Sequence, residues 1–158
     1  MEQEKYYSLA LIMKGRDILL GYKKKGVGHD KWHCFGGPVE SDQNIEEATG
    51  RRIKEQCGLV VRKFEKAAIL DFENKNDPVK TKVHVFVATE FEDTLEESRE
   101  LLPQWFGPRE IPFDSLWINI KNWLPKILYG KLLKGYMLFQ GNEAVLYSKF
   151  NFVEIFNL

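Results

Sequence analysis

Between residues 36 and 59 the chain reads GGPVESDQNIEEATGRRIKEQCGL, which admits little besides a glycine-led loop running into one helix with both ends marked. Asn44 with Glu47 three residues later forms a capping box, and Gly58 supplies the left-handed residue on which a helix stops. Ile45, Ala48, Ile53 and Cys57 recur at helical spacing and are expected to face a core, leaving Arg51, Lys54 and Glu55 toward solvent. Gly36 and Gly37 suit a close approach of backbone to a phosphate or a metal ion.

Strand patterns surround this helix. Tyr6 to Met13 reads as a buried strand that turns at Lys14-Gly15-Arg16-Asp17 into a partner from Ile18 to Lys24. Lys31 to Phe35 forms a short strand delivering the chain to the glycines. After Gly58 the stretches Leu59 to Phe64, Ala67 to Phe72 and Lys82 to Phe91 are β-rich, the acidic Glu92 to Glu100 is expected to be a loop, and Gln104 to Phe106 another short strand. A second helix begins at Asn119, with Ile120, Trp123, Leu124, Ile127 and Leu128 on one stripe and Pro125 expected to kink it. Leu132 to Gln140 and Ala144 to Phe150 read as a closing hairpin around Gly141-Asn142. The elements together predict an α+β fold, an α/β/α sandwich forming a single domain over residues 1–158.

Composition narrows the function. Twenty-three basic and 23 acidic residues cancel, so no global field recruits nucleic acid or an anionic membrane. No apolar run approaches a membrane span, and the N-terminus lacks a secretion signal, so a soluble, cytoplasmic monomer is expected. Cys34 and Cys57, 23 positions apart, suggest reduced thiols.

The frame Gly37, Arg51, Ile53, Glu55, Gly58, Leu59 resembles the Nudix box, G-x5-E-x7-R-E-U-x-E-E-x-G-U, at six of its nine specified positions. The three departures, Gln43, Arg52 and Gln56, all stand where that family carries glutamate, changing local charge by +1, +2 and +1. Further similarity, in Leu19-Leu20-Gly21, Trp32, Phe35-Gly36-Gly37, Val83-His84-Val85-Phe86, Ile111-Pro112-Phe113 and Trp117, resembles the branch of oxidised-purine nucleoside triphosphatases that act on 8-oxo-dGTP. The resemblance implies a Nudix fold with a mixed sheet flanked by helices. It also implies a purine nucleoside triphosphate as ligand.

The same resemblance places Ser8, Lys23, His33, Phe72, Trp117, Asn119 and Phe139 at nucleotide-binding positions and Gly36, Gly37 and Arg52 near phosphate. His33, Asn119 and Ile120 replace the family's polar base readers, while Val27, Asn74 and Thr81 replace larger apolar residues. Glu55 and Glu100 are the catalytic carboxylates that remain, and the implied Mg²⁺ or Mn²⁺ would rest on them. A hard divalent cation wants carboxylate oxygens, so the expected consequence is nucleotide binding with hydrolysis lost or strongly reduced. Plainer readings stand beside these: Arg52 and Gln56 as solvated helix positions, Lys23 to Lys25 as a strand end in water, His84 as a core histidine.

Overall fold

The computed structural model describes residues 3–26, 28–117, 120–130, 132–141 and 144–154. Its strands in chain order are β1 (Gln3–Lys14), β2 (Asp17–Lys23), β3 (Trp32–His33), β4 (Phe35–Val39), β5 (Val60–Asn74), β6 (Val79–Glu92), β7 (Leu101–Phe106), β8 (Leu132–Gln140) and β9 (Ala144–Val153). The helices are α1 (Ile45–Cys57) and α2 (Ile120–Leu128). Seven strands run in the order β3-β2-β1-β6-β5-β8-β9, with β4 added to β1 and β7 to β2. The sheet is mixed: β1 with β6 and β5 with β8 are parallel, and the remaining pairs are antiparallel.

Strand periodicity divides the core in two. Along β1, Leu9 and Leu11 join one apolar cluster and Ala10 and Ile12 the other, as successive side chains must point to opposite faces. The first cluster packs on α2 through Ile120, Trp123, Leu124 and Ile127, and the second on α1 through Ile53 and Cys57. The sandwich expected from sequence is present, with the sheet between the two helices.

The α1 caps match their signature. Asn44 Oδ1 accepts from Glu47 N at 3.1 Å, and Gly58, at φ 80°, donates its N–H to the Lys54 carbonyl at 2.9 Å. Pro125 lies inside α2 without ending it.

Three expectations change. Gly36 and Gly37 are not a loop; they belong to β4 and pair with Leu9 and Ser8 of β1. The two stretches split at Glu65 are one strand, β5, which absorbs the break through irregular pairing with β6 near Val61, Lys63 and Lys66. The last strand continues past Phe150 to Val153 because Asn151, Phe152 and Val153 pair with β8. Asn119 and Asn142, expected at a helix cap and a turn, lie outside the described residues, as does Val27. Among the described residues no helix is long and apolar enough to cross a membrane.

His84 is half-buried in β6, and its Nδ1 has no hydrogen-bond partner among the described residues. Burial first, then the cations of Lys66 and Lys82, lower its pKa from 6.5 to about 4. Between those values the unfolded chain binds a proton that the folded chain does not, so stability rises with pH there. Acidification from about 6.5 to about 4 is therefore expected to lower the thermal midpoint, and His84→Gln to make that decline shallower. An unchanged slope in the variant would count against this role.

Candidate functional site

A cleft of about 520 Å³ opens on the α2 face of the sheet, walled by Tyr7, Leu9, Phe72, Val83, Trp117 and Ile120. Lys23 and His33 line it too. The His33 and Trp117 rings stack at 5.5 Å between centroids and 22° between planes. Two backbone links hold that stack: Trp117 N donates to the Trp32 carbonyl at 3.0 Å, and His33 Nε2 meets the Gly28 carbonyl at 3.0 Å. A carbonyl only accepts, so Nε2 carries the proton and Nδ1 is left as an acceptor in neutral His33. Burial keeps that ring neutral by lowering its pKa.

Four of the residues expected to bind a nucleotide, Lys23, His33, Phe72 and Trp117, thus line one cleft. Phe139 lines the adjoining pocket and meets the Phe72 ring edge-on at 5.2 Å. Ser8 is a correction: alternation along β1 turns it to the α1 face, where it is fully buried and its hydroxyl hydrogen-bonds Thr49 at 2.6 Å. The residue beside it, Tyr7, occupies the cleft instead. Nothing in a single tyrosine announced this; only the phase of β1 decides which neighbour faces the cleft.

Behind the glycines lies the box helix. Gly36 adopts φ 138°, and a Cβ there would fall 2.1 Å from the Ser8 carbonyl oxygen, so the position tolerates no side chain. Gln56, half-buried, grips the same residue from the other side. Gly36 N donates to Gln56 Oε1 at 3.0 Å, and Gln56 Nε2 donates to the Gly36 carbonyl at 2.9 Å. Gln56 is therefore not a freely solvated helix position. Gln43 has a structural bond of its own, accepting from Glu40 N at 3.0 Å where the chain turns into α1.

Arg52 is half-buried, with its guanidinium against Gly37: a Cβ on that glycine would sit 3.1 Å from Arg52 Cζ. Its charge and that of Glu100 act on the Tyr7 hydroxyl in opposite senses, and burial, the largest influence, raises the Tyr7 pKa. Glu55 is exposed in a shallow hollow shared with Arg51, Arg52 and Glu40. Glu100 is also exposed and leads into β7, its carbonyl accepting from Lys24 N at 2.9 Å.

This donor set does not fit a divalent cation. Among the described residues no three His, Cys, Asp or Glu side chains are grouped to hold a metal ion. Where further carboxylates would be needed stand a guanidinium and an amide whose N–H donates to the Gly36 carbonyl. The cysteines offer no alternative chemistry, since burial pushes Cys34 up to about 12 and Cys57 up to about 11.

A mixed sheet between two helices, with a glycine strand backed by a charged helix beside an aromatic cleft, defines a Nudix-type domain. The NUDIX domain family matches residues 7–127, and the chain belongs to the Nudix family. It is 36% identical over 154 residues to the oxidized purine nucleoside triphosphate hydrolase of Danio rerio, covering 98% of this chain and 99% of that one. The Mus musculus protein of the same name is 36% identical over 146 residues, with 92% and 94% covered. In structure the chain is similar to the MutT protein of Bacillus halodurans, with TM-score 0.79 at 20% identity and 93% and 97% coverage. Nudix hydrolases generally use a divalent metal such as Mg²⁺.

Replacing Gln56 by Ala leaves the Gly36 N–H and carbonyl unpaired in a half-buried place. We expect a loss of roughly 2 kcal/mol in unfolding free energy, measured by urea denaturation without ligand. A loss below roughly 0.5 kcal/mol would show that the two bonds carry no net stability.

Proposed function

We propose that this chain binds a purine nucleoside triphosphate and that water attack on its phosphates is lost or strongly reduced. In this reading the base stacks among Phe72, Trp117 and His33. Lys23 meets the ribose or phosphate side, and the triphosphate runs toward Gly36, Gly37 and Arg52. The observation that carries the reading is the pair of hydrogen bonds between Gln56 and Gly36. A glutamate at this position could accept from the Gly36 N–H but not donate to its carbonyl. The amide does both, and it spends a carbonyl oxygen facing the box helix.

Substitution at phosphorus needs positive charge on the phosphate oxygens and an acidified water. Arg52 supplies a fixed positive charge and two parallel N–H donors for a phosphate. It cannot lower the pKa of a coordinated water. A site built this way grips a triphosphate and leaves it intact, and removal of the metal-bound nucleophile costs several kcal/mol of barrier, roughly a thousandfold or more in rate.

The competing reading is an active, metal-dependent triphosphatase that releases nucleoside monophosphate and pyrophosphate. Similarity along nearly the whole chain, at 36% identity, to proteins named as oxidized purine nucleoside triphosphate hydrolases favours it. Product release from normal and oxidised purine triphosphates, with Mg²⁺, with Mn²⁺ and with chelator, separates the two. We expect no metal-dependent product. Turnover that requires metal and disappears in Glu55→Gln would establish the enzyme instead. Binding gives an independent check: Arg52→Glu should weaken metal-free triphosphate affinity about tenfold to a hundredfold, by loss of charge-assisted bonds. Equal affinities would remove Arg52 from the phosphate site.

A further inference from the structure

Thr81 stands at a junction. In the middle of the sheet it pairs with Lys5 of β1 on one side and Phe72 of β5 on the other. Its half-buried side chain lines the 520 Å³ cleft and also a second pocket of about 310 Å³. The two hollows share Phe72 and Trp117 as well, so the same aromatic rings wall both. With only a hydroxyl and a methyl on its Cβ, Thr81 is a short side chain on the wall that both hollows share.

The second pocket is of ligand size in its own right, near the lower end of the usual range of roughly 300 Å³ and above. Its chemistry is legible from what its polar groups already do. Asn74 exchanges two hydrogen bonds with the Gly141 backbone, at 3.0 and 3.2 Å. Asp77 Oδ1 accepts from Val79 N at 2.9 Å. Glu73 accepts from the Tyr136 hydroxyl at 3.0 Å and pairs with Lys80 at 3.3 Å. Beside these engaged groups the lining is apolar, made of the Phe72–Phe139 edge-to-face pair, Trp117 and Val79. The lining holds two carboxylates, Glu73 and Asp77, and the cation of Lys5, with Lys80 held on Glu73, so no surplus of positive charge recruits a second phosphate there.

We infer that the second pocket receives an apolar, aromatic substituent carried on the base of the bound nucleotide, passing beside Thr81. The preferred ligand class is a purine nucleotide enlarged at its base edge, rather than one bearing a compact base. The inference rests on the proposed placement of the base in the larger cleft. Thr81 is the residue that decides specificity, because a longer side chain there would wall off one hollow from the other.

Metal-free titration calorimetry with ATP, N6-benzyl-ATP and 8-benzylamino-ATP tests it, since the two added rings leave the base from different sides. At least one enlarged nucleotide should bind about tenfold or more tighter than ATP, from burial of the added ring. Thr81→Leu should collapse that preference to about one, and Val79→Phe, which fills the second pocket from its rim, should do the same. Thr81→Ser should retain it. Measurable ATP binding with neither enlarged nucleotide preferred overturns this inference and leaves the nucleotide reading standing. So does a preference that survives both filling substitutions. Absence of binding by all three nucleotides overturns the nucleotide reading itself, and this inference with it.

Discussion

The protein is organised around one backbone position with no room to spare. Gly36 presses against the Ser8 carbonyl on its β1 side, at a φ that side chains avoid, and is held by the Gln56 amide on its α1 side. Those contacts fasten the box helix to the middle of the sheet. Ser8 and Thr49 add a hydroxyl pair just beside them, and Ile53 and Cys57 bury the apolar stripe of the helix nearby. The direction in which the helix carries Arg52 and Glu55 is set by that anchorage.

The anchorage also explains how a family scaffold survives with its charges altered. A cluster of carboxylates on one helix face is self-repulsive and needs a bound cation to be comfortable. Here two of these positions are engaged by the backbone, Gln43 on Glu40 and Gln56 on Gly36, while the Arg52 guanidinium lies against Gly37. Such a helix can pack well without a metal ion. The walls of the aromatic cleft come from other parts of the chain, chiefly β1, β5, β6, Trp117 and the start of α2.

Much of the fold was legible because its signals are local. The capping box, the terminal glycine and the apolar stripe of α1 act within one or two helical turns, and the hydrophobic stripe of α2 outweighed Pro125. What local patterns could not supply was pairing. The glycines looked like a loop until β1 was seen to accept them as a strand, and β5 looked like two strands until its irregular pairing with β6 joined them. In the candidate site, the resemblance named Lys23, His33, Phe72 and Trp117, which line one cleft, while the side chain of Ser8, also named, turns to Thr49 and its neighbour Tyr7 meets the cleft.

The amino-acid sequence by itself determined the helix, its ends, the balance of charge and the presence of Gln43, Arg52 and Gln56 along it, since each depends on residues close in the chain or on chemical identity alone. Only the tertiary structure decided that Gln56 closes on Gly36, that Tyr7 lies between the influences of Arg52 and Glu100, and that Thr81 lines two hollows. Those facts depend on strand phase and register across the sheet. A shift of one residue there would send every side chain to the opposite face, and no short stretch of sequence holds that information.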